Sequence, residues 1–302
     1  MQKTVLITGV SGFAGRYLAP IMAAEGYRVF GTTKTPGSTV AGVERLFCVD
    51  LQDCEALEGL IAEVRPDRIV HLAALSFVGH SNAKEIYDTN IVGTRNLLEA
   101  LRAKNPNRCV AMLVSSATVY GNASSEPLDE NSKFSPANDY AVSKMAMELM
   151  AAQFQDSIDI IIARPFNYTG RSQNLNFLVP KIVDHFYRRE SFIELGNTNV
   201  ARDFSDVRDV VECMRLLLEA EAARGQTFNI CSGVSTSLQK IIEICQNICG
   251  YEIEIRSNVS LKRASEVKYS LGDNSKLIKT IGRCGNYNIH QTVNWMLQAN
   301  DG

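Results

Sequence analysis

The chain has 302 residues, of which 45% are hydrophobic and 21% charged, and its formal net charge is −2. This length and composition provide enough apolar material for one large domain or two closely associated ones. The near-neutral charge gives no electrostatic reason to expect a nucleic acid or an anionic membrane as a partner, so any anion must be bound by a local group of residues.

The sequence does not predict export, membrane insertion or metal binding. An apolar segment begins at Thr4, which leaves no room for a cleavable secretory signal, and the longest strongly apolar run, 158–163, is far too short to span a bilayer. The eight cysteines form no CxxC pair, and several lie within apolar segments. We therefore predict a cytoplasmic protein with reduced, buried thiols and no metal site.

Short apolar segments alternate with amphipathic ones in the first half of the chain. Their periodicity predicts strands at 5–8, 28–32, 45–49, 68–72, 109–115 and 159–163, and helices at 12–25, 54–64, 82–103 and 140–154. Nearly continuous apolar strands separated by helices indicate a parallel sheet covered on both faces. Right-handed crossovers then give a doubly wound α/β fold, which binds ligands at the carboxyl ends of its strands.

After residue 165 this alternation becomes irregular. A helix is predicted at 178–189, a strand at 192–195, a polar segment at 201–209, a helix at 211–220 and a strand at 227–231 that returns to the main sheet. A helix at 238–249, a strand at 251–255 and a final helix follow. We predict a nucleotide-binding domain of residues 1–165 plus 204–231, and a smaller C-terminal lobe of residues 166–203 plus 232–302.

A turn with three glycines separates the first strand from the first helix. Residues 4–15 read TVLITGVSGFAG. Gly9 permits a tight turn, Gly12 lets a pyrophosphate approach the backbone, and Gly15 lets the helix pack closely on the sheet. The amides at the start of the helix can then bind phosphate. Because the glycines directly follow a predicted strand, the pattern predicts a dinucleotide-binding site.

The end of the second strand bears on which dinucleotide binds. An NAD-specific site usually has an acidic residue there, but this chain has Thr33 and Lys34 and no acid before Glu44. Lys34, with Arg16 at the start of the first helix, could neutralise a 2′-phosphate, although a solvated surface lysine would look the same. We predict NADP(H) rather than NAD. Asp50, at the end of the third strand, could approach the adenine edge or simply cap a turn.

Tyr140 and Lys144 form a Tyr-x-x-x-Lys pair at the start of a predicted helix, and this spacing puts both side chains on one helical face. A nearby ammonium lowers the pKa of a tyrosine, so the pair predicts a proton donor, and Lys144 can also hold the nicotinamide ribose. Ser116, in SSATVYG at the end of the fifth strand, can hydrogen-bond a reacting carbonyl oxygen together with Tyr140. Asn90, in the helix opposite, is a candidate structural or water-relay residue.

Five motifs in order resemble the extended short-chain dehydrogenase/reductase family: TGxxGFxG, HLAA at 71–74, SSATVYG, YAVSK and RPFNYTG at 164–170. The resemblance covers nearly the whole chain and implies a Rossmann domain with a smaller nucleotide-sugar-binding lobe, and Ser116, Tyr140 and Lys144 as catalytic residues. His71 better fits a structural role at the end of the fourth strand. The expected cofactor-binding residues are Gly9, Gly12, Phe13, Gly15, Lys34, Asp50, Leu51, Leu72, Ala73, Ala74, Asn90, Tyr140 and Lys144.

The C-terminal motifs resemble those of family members that act on nucleotide sugars. Arg202, in VARDFSDVRDV, and Arg263, in LKRASEV, occupy positions that usually bind the substrate diphosphate. Two arginines from separate segments make a sensible diphosphate clamp, although each could be an ordinary surface ion-pair partner. Glu266 matches a residue that often contacts the nucleotide ribose. The expected substrate-binding residues are Ser76, Ser116, Asn167, Arg202, Arg263 and Glu266.

Three reactions of this family compete. The 4,6-dehydratases need an acidic residue just after the catalytic hydroxyl, where this chain has Ala117 and Thr118, so that reaction is disfavoured. The NAD-dependent 4-epimerases share SSATVYG but carry an acid at the end of the second strand, which disfavours this alternative. A reductase needs only NADPH, a polarising hydroxyl and a proton from tyrosine. A non-catalytic dinucleotide-sensing regulator would tend to lose the tyrosine or the lysine, and both are present.

Several stretches, among them VFGTTK, GNTNVARDFSDVRDVV and FNICSG, most resemble GDP-4-keto-6-deoxy-D-mannose reductases, which form GDP-D-rhamnose. The resemblance implies NADPH-dependent reduction of the C4 ketone of a nucleotide-linked 4-keto-6-deoxyhexose, and a place in polysaccharide biosynthesis. The sequence departs from those proteins at Arg171, where they commonly have proline.

The family also forms dimers through the helices predicted here at 82–103 and 140–154. The second of these carries Met145, Met147, Leu149, Met150 and Phe154 around much of its circumference. We therefore expect a homodimer, although burial within one protomer explains the same apolar pattern nearly as well.

Overall fold

The computed structural model describes residues 2–76, 82–122, 127–261, 267, 269–283 and 285–298. Its strands are β1 (Thr4–Thr8), β2 (Arg28–Thr33), β3 (Arg45–Cys48), β4 (Arg68–His71), β5 (Val110–Val114), β6 (Asp159–Pro165), β7 (Asn167–Thr169), β8 (Phe192–Leu195), β9 (Ala201–Asp206), β10 (Thr227–Ile230), β11 (Ser235–Ser237), β12 (Glu254–Ser257) and β13 (Tyr269–Ser270). Its helices are α1 (Phe13–Ala24), α2 (Cys54–Val64), α3 (Ala83–Tyr87), α4 (Gly93–Lys104), α5 (Asp139–Ala151), α6 (Leu178–Tyr187), α7 (Val207–Glu219), α8 (Leu238–Cys249), α9 (Ser275–Ile281) and α10 (Ile289–Leu297).

Within this described part of the chain, seven parallel strands form the main sheet in the order β10-β6-β5-β4-β1-β2-β3. β1 and β5 are buried at every position, which explains their unbroken apolar sequences. The chain winds outward from β1 in one direction to β3 and in the other from β4 to β10. The doubly wound parallel sheet predicted from the sequence is confirmed, and its switch point lies between β1 and β4.

Helices cover both faces of this sheet. α1 and α7 pack against each other on one face, in a core that includes Leu18 and Met214. α2, α4 and α5 cover the other face, in a core that includes Leu97, Met147 and Phe154. Because Met147 and Phe154 are buried within the protomer, they are not part of any exposed face for a second copy.

A π-helical turn over Asp88–Val92 interrupts the helix predicted at 82–103, between α3 and α4. Asn90 lies buried in this turn. Its side chain accepts a hydrogen bond from the amide of Leu75 (2.9 Å) and donates to Ser143 Oγ (3.0 Å). The helix predicted at 82–103 is confirmed in extent, because residues 83–104 are helical throughout, but apolar periodicity does not register the inserted residue of the π-helical turn.

The predicted polar segment 201–209 contains β9, and α7 begins directly after it at Val207 rather than at 211. Asp206 caps this helix by accepting a hydrogen bond from the amide of Arg208 (2.8 Å). β9 pairs with β7, β11 and β13. Its polar sequence concealed a strand because Asp203 is fully buried and satisfied by donors such as Ser232 Oγ (2.6 Å). β12 begins at Glu254, three residues after the start of the strand predicted at 251–255.

The C-terminal lobe has an apolar core of its own. This core includes Ile182 of α6, Ile242 of α8 and Val293 of α10. Trp295 of α10 also packs edge-on against Tyr17 of α1, with ring centroids 6.1 Å apart, so the lobe contacts the helix that follows the glycine turn. The domain boundaries at 165, 204 and 231 stay a prediction. Among the helices that the structure describes, none is long and apolar enough to cross a membrane.

Candidate active site

A cavity of about 870 Å³ lies at the carboxyl ends of the central strands, as the fold predicts. Its walls come from the glycine turn, the ends of β2, β4 and β5, the start of α5, β7, the start of α6 and the segment between β8 and β9. The cavity therefore runs from the main sheet to the C-terminal lobe.

The glycine turn has the geometry of a phosphate cradle. Gly9 adopts φ +66°, and a Cβ at this position would lie 2.8 Å from the Cα of Ala73. A Cβ at Gly15 would lie 2.4 Å from the carbonyl oxygen of Val10, which explains the close approach of α1 to the sheet. Gly12 is the N-cap of α1, where no side chain caps the first amides. These amides line the cavity and fit the pyrophosphate of a dinucleotide.

Lys34 directly follows β2 and lines the cavity. Its ammonium is 3.1 Å from a carboxylate oxygen of Asp50, and both side chains are about half exposed. Asp50 itself is outside the cavity lining, so it acts on the site through Lys34. Beside them, Ser11 Oγ and Thr33 Oγ1 lie 2.8 Å apart, so hydroxyl groups stand where an acid would favour an unphosphorylated ribose.

The end of β4 forms the floor of the cavity. Leu72, Ala73, Ala74 and Ser76 line it, as do Phe13 and Leu51. His71, just before them, is buried; its ring nitrogens lie 2.7 Å from Thr8 Oγ1 and 2.9 Å from Thr94 Oγ1. Burial lowers the pKa of His71 to about 3, so the ring is neutral and has the structural role that the sequence suggests.

Asn90 is not part of the cavity lining, unlike its neighbour Thr89. Both of its side-chain polar atoms are engaged with Leu75 and Ser143, and the Ser143 hydroxyl donates to the carbonyl oxygen of Tyr140 (2.7 Å). Asn90 therefore supports the start of α5 from behind, and the prediction that it contacts the cofactor is not supported by its position.

Ser116, Tyr140 and Lys144 all line the cavity. Asn138 caps α5 by accepting a hydrogen bond from the amide of Ala141 (2.9 Å), so the helix begins just before Tyr140. Ser116 Oγ accepts hydrogen bonds from the amide (3.2 Å) and the hydroxyl (2.9 Å) of Thr118. The three side chains that the sequence selected thus meet on one wall of the cavity.

The pKa of Tyr140 is raised above its ordinary value of 10, and the predicted lowering by Lys144 is wrong. Burial has the largest effect, the nearby Tyr168 raises the pKa further, and a hydrogen bond with Ser116 offsets this only in part. The Lys144 ammonium donates to the carbonyl oxygen of Val114 (2.7 Å) and lies 6.0 Å from the centre of the Tyr140 ring. Burial lowers the pKa of Lys144 to about 8, and Glu148 opposes that shift.

The predicted substrate residues divide into two groups. Asn167 on β7, Arg202 on β9, Ser76 after β4 and Ser116 after β5 all line the cavity. Arg263 and Glu266 lie outside the described residues. The cavity wall also contains residues that the sequence did not single out: Tyr168, Gln173, Asn176, Phe177, Lys181 and Asn197.

Of these, Tyr168 had a usable signal, because it follows Asn167 in the RPFNYTG motif. Its ring stacks on that of Phe13 with centroids 5.8 Å apart, and burial raises its pKa to about 12. Of the others, Gln173, Asn176 and Phe177 lie between β7 and α6, Lys181 lies in α6, and Asn197 follows β8.

Arg171 stands where GDP-4-keto-6-deoxy-D-mannose reductases commonly have proline. It connects the loop after β7 to the C-terminal helix α10. Its Nε donates to the carbonyl oxygen of Trp295 (2.8 Å), and its guanidinium lies 4.8 Å from the centre of the Trp295 ring. The Tyr17 hydroxyl donates to the carbonyl oxygen of Arg171 (2.9 Å). The arginine therefore fixes this loop through side-chain contacts that proline could not make.

No group of three His, Cys, Asp or Glu side chains in the described ranges is arranged to hold a metal ion. Burial raises the pKa of Cys109 and of Cys245 to about 12, so both are inert thiols at neutral pH.

Comparison with known proteins identifies the family. The family model described as GDP-mannose 4,6 dehydratase matches residues 6–296. The chain belongs to this family. It is an NAD(P)-dependent oxidoreductase of the extended short-chain dehydrogenase/reductase type, as its motifs predicted.

Two of its relatives are named for GDP-linked sugars. GDP-6-deoxy-D-talose 4-dehydrogenase of Aggregatibacter actinomycetemcomitans is 34% identical over 279 residues, which cover 92% of this chain and 91% of that protein. GDP-6-deoxy-D-mannose reductase of Pseudomonas aeruginosa is 30% identical over 309 residues, covering 98% and 97%. The structure of RMD from Pseudomonas aeruginosa complexed with NADPH has a TM-score of 0.85 at 28% identity, covering 98% of each chain.

A further solved structure comes from Burkholderia cenocepacia J2315, a protein provisionally named an epimerase. It is 42% identical to this chain, has a TM-score of 0.91, and covers 98% of this chain and 97% of its own. The family thus includes several reactions at the sugar ring, and the choice among them depends on the residues at the site.

Proposed function

We propose that this protein is an NADPH-dependent reductase of the C4 ketone of a GDP-linked 4-keto-6-deoxyhexose, converting GDP-4-keto-6-deoxy-D-mannose to GDP-D-rhamnose. The observation that carries the proposal is the near full-length similarity to two enzymes named for GDP-6-deoxyhexoses, one a 4-dehydrogenase and the other a reductase, in a chain whose cavity brings Ser116, Tyr140 and Lys144 together.

The chain's own residues supply the protons and the orientation for this reaction. NADPH, when bound, would supply the hydride for C4. Ser116 hydrogen-bonds the ketone oxygen, and Tyr140 gives that oxygen its phenolic proton as negative charge develops. Lys144 holds the cofactor ribose and replaces the proton that Tyr140 loses. Asn167, Arg202 and Ser76 bind the sugar and the diphosphate, with Arg263 and Glu266 as further candidates from the sequence.

The residues next to Ser116 disfavour the dehydration after which the family is named. Elimination of water needs a group that can act as acid and base, and Ala117 and Thr118 carry none. Ala117 is buried, and the Thr118 hydroxyl donates its hydrogen to Ser116 Oγ. The Thr118 hydroxyl therefore orients the Ser116 side chain and does not act as an acid or base in elimination.

NADP(H) is favoured over NAD by the residues at the end of β2. Lys34, Ser11 and Thr33 present an ammonium and two hydroxyl groups to the cavity, a donor set that suits a 2′-phosphate. An NAD-dependent epimerase would be expected to have an acid at this position. UDP-sugar binding with firmly retained NAD would support that alternative, and a thermal-shift panel of GDP, UDP, dTDP and CDP tests it.

A second candidate concerns the configuration at C4. The 34% identical relative is named for GDP-6-deoxy-D-talose, which differs from GDP-D-rhamnose only at that carbon. Reduction of the same ketone from the opposite face gives this product. The coupling between H3 and H4 in the proton NMR spectrum of the product distinguishes the two, because H4 is axial in one sugar and equatorial in the other.

The test follows NADPH oxidation at 340 nm after addition of GDP-4-keto-6-deoxy-D-mannose. Tyr140→Phe should lower kcat by about 10²–10⁴-fold while NADPH binding stays within about twofold, since only the transferred proton is lost. Tyr269→Phe, at a half-exposed tyrosine of β13, is the matched control and should keep the wild-type rate. A Tyr140→Phe variant with near-normal turnover would exclude this mechanism, and a wild-type protein that binds NADPH without oxidising it would indicate a regulator.

We also propose a cytoplasmic homodimer formed through α4 and α5. Val92, just before α4, is 46% exposed, and Leu149, on α5, is 60% exposed. These two side chains leave an apolar surface outside the protomer core. Sedimentation equilibrium of the wild type and of Leu149→Lys tests this: the wild type should sediment as a dimer and the variant as a monomer.

A further inference from the structure

Three residues of the sequence motifs have no role in the proposed reaction, yet they lie together behind the cavity. Tyr120 belongs to SSATVYG, Glu148 follows Lys144 by four residues, and Arg164 begins RPFNYTG. Tyr120 is fully buried, and the side chains of Glu148 and Arg164 are only 7% and 6% exposed. A buried ion pair loses most of its hydration, so its presence here calls for a physical explanation.

Glu148 is the centre of this group. Its carboxylate accepts hydrogen bonds from Arg164 Nη2 (2.6 Å) and Nε (3.0 Å) and from the hydroxyl of Ser115. Arg164 also donates to the hydroxyl oxygen of Tyr120 (2.8 Å), which donates to Asn229 Oδ1 (2.7 Å). The network therefore joins α5 to the ends of β5, β6 and β10.

Two of the proposed catalytic residues are attached to this network. Ser115 directly precedes Ser116, so its bond to Glu148 holds the backbone that carries the Ser116 hydroxyl. Lys144 lies one helical turn before Glu148 on the same face of α5. The carbonyl oxygen that binds the Lys144 ammonium belongs to Val114, at the same end of β5.

The charges around Lys144 make Glu148 the group that acts on it. The titratable groups facing Lys144 are Tyr140 and Glu148 on α5 and His71 on β4. Tyr140 and His71 are neutral, because burial raises the pKa of the first and lowers that of the second to about 3. Burial lowers the pKa of Lys144 to about 8, and the carboxylate of Glu148 works against this.

We propose that Glu148 is a positioning residue that holds the end of β5 through Ser115 and keeps Lys144 in its ammonium form, while Arg164 anchors the Glu148 carboxylate. The expected effect of Glu148 on kcat rests on the proposed function, whereas its expected effect on the titration of Lys144 does not.

The electrostatic part is tested without any substrate. Protein labelled with ¹³C at the lysine ε carbon gives one NMR signal per lysine, and Lys144→Met identifies the signal of Lys144. In Glu148→Gln, which keeps the shape and removes the charge, the Lys144 signal should titrate at lower pH than in the wild type. An unchanged titration would overturn the proposal, whatever the substrate proves to be.

The kinetic part compares the pH profiles of kcat for ketone reduction. Glu148→Gln should move the alkaline limb to lower pH, so that its kcat relative to the wild type is about tenfold lower at pH 9 than at pH 6.5. The KM for the nucleotide sugar should stay within about twofold, because the substrate contacts are intact. A kcat reduced equally at every pH would leave Glu148 a purely structural role and contradict the proposal.

Two further variants separate this effect from a loss of folding. Glu148→Gln combined with Arg164→Met removes both buried charges, so it should regain thermal stability and keep the shifted profile. Glu212→Gln on α7 breaks an ion pair with Arg215 (2.7 Å) outside the cavity lining, and it should lower Tm without moving the profile. A double variant with a wild-type profile would overturn the assignment to Glu148. If the wild type reduces no keto sugar, the proposed function fails and the NMR titration still tests Glu148.

Discussion

Two alanine substitutions three residues apart should separate folding from cofactor binding. A Cβ at Gly15 would lie 2.4 Å from the carbonyl oxygen and 2.6 Å from the Cα of Val10, which are backbone atoms that cannot turn aside. A Cβ at Gly12 would meet only the carbonyl oxygen of Gly9, at 3.1 Å, and the backbone of Gly12 has φ −73°, which any residue can adopt. Gly15→Ala therefore disturbs the packing of α1, whereas Gly12→Ala places a methyl group in the phosphate cradle.

The expected magnitudes differ in the same way. Overpacking of this kind costs about 1–3 kcal/mol, so Gly15→Ala should lower the free energy of unfolding by at least that amount. Gly12→Ala should change it by less than about 1 kcal/mol, because a less favourable N-cap is offset by the reduced entropy of the unfolded chain. The added methyl group separates the α1 amides from the pyrophosphate. Since a hydrogen bond to a charged group contributes about 1.5–3 kcal/mol, the Kd for NADPH should rise about tenfold or more.

Urea unfolding followed by circular dichroism measures the free energy of unfolding, and isothermal titration calorimetry with NADPH measures the Kd. Gly59→Ala is the control, because this exposed position in α2 has no atom within 4 Å of the added Cβ. It should gain up to about 1 kcal/mol of stability and keep its affinity. Normal NADPH affinity in Gly12→Ala would refute the phosphate cradle, and wild-type stability in Gly15→Ala would refute the packing argument.

Two other predictions follow from charged groups. Lys34→Ala should raise the KM for NADPH about tenfold while leaving the KM for NADH within about twofold. Asp50→Asn should lower the KM for NADPH, because the Asp50 carboxylate, 3.1 Å from Lys34 Nζ, competes with the 2′-phosphate for the ammonium. Steady-state kinetics with both cofactors measures these ratios. His71 has a pKa of about 3 in the folded protein and 6.5 ordinarily, so the unfolded chain binds the proton first and stability falls as the pH drops from about 6.5 toward 3. His71→Asn, which cannot titrate, should lose less stability over this window in urea titrations, and an equal loss would contradict a neutral buried ring.

The sheet and the glycine turn could be predicted because their causes are local. A buried parallel strand is an unbroken apolar run, Gly9 is required by its positive φ in the turn, and Gly15 is required by its contact with the Val10 backbone within the first βα unit. The π-helical turn could not be predicted, because it depends on the bonds of Asn90 to Leu75 and Ser143, which are distant in sequence. β9 was missed for the same reason: the donors that satisfy Asp203 are distant in sequence and include Ser232 and the amide of Gly272.

The pKa of Tyr140 illustrates the limit of spacing arguments and supports a direction for the reaction. A spacing of four shows that Lys144 is on the same face, but the carbonyl group of Val114 that holds its ammonium belongs to β5, whose position the spacing does not reveal. An enzyme that begins by oxidising an alcohol uses its tyrosine as a base and needs the phenolate, whereas one that reduces a ketone needs the phenol. Burial raises the pKa of Tyr140 and so favours the phenol. The burial that contradicts the predicted lowering of the pKa is therefore consistent with the proposed role of Tyr140 as the proton donor in a reduction, and with the proposed role of Lys144, beside Glu148, as the group that restores its proton.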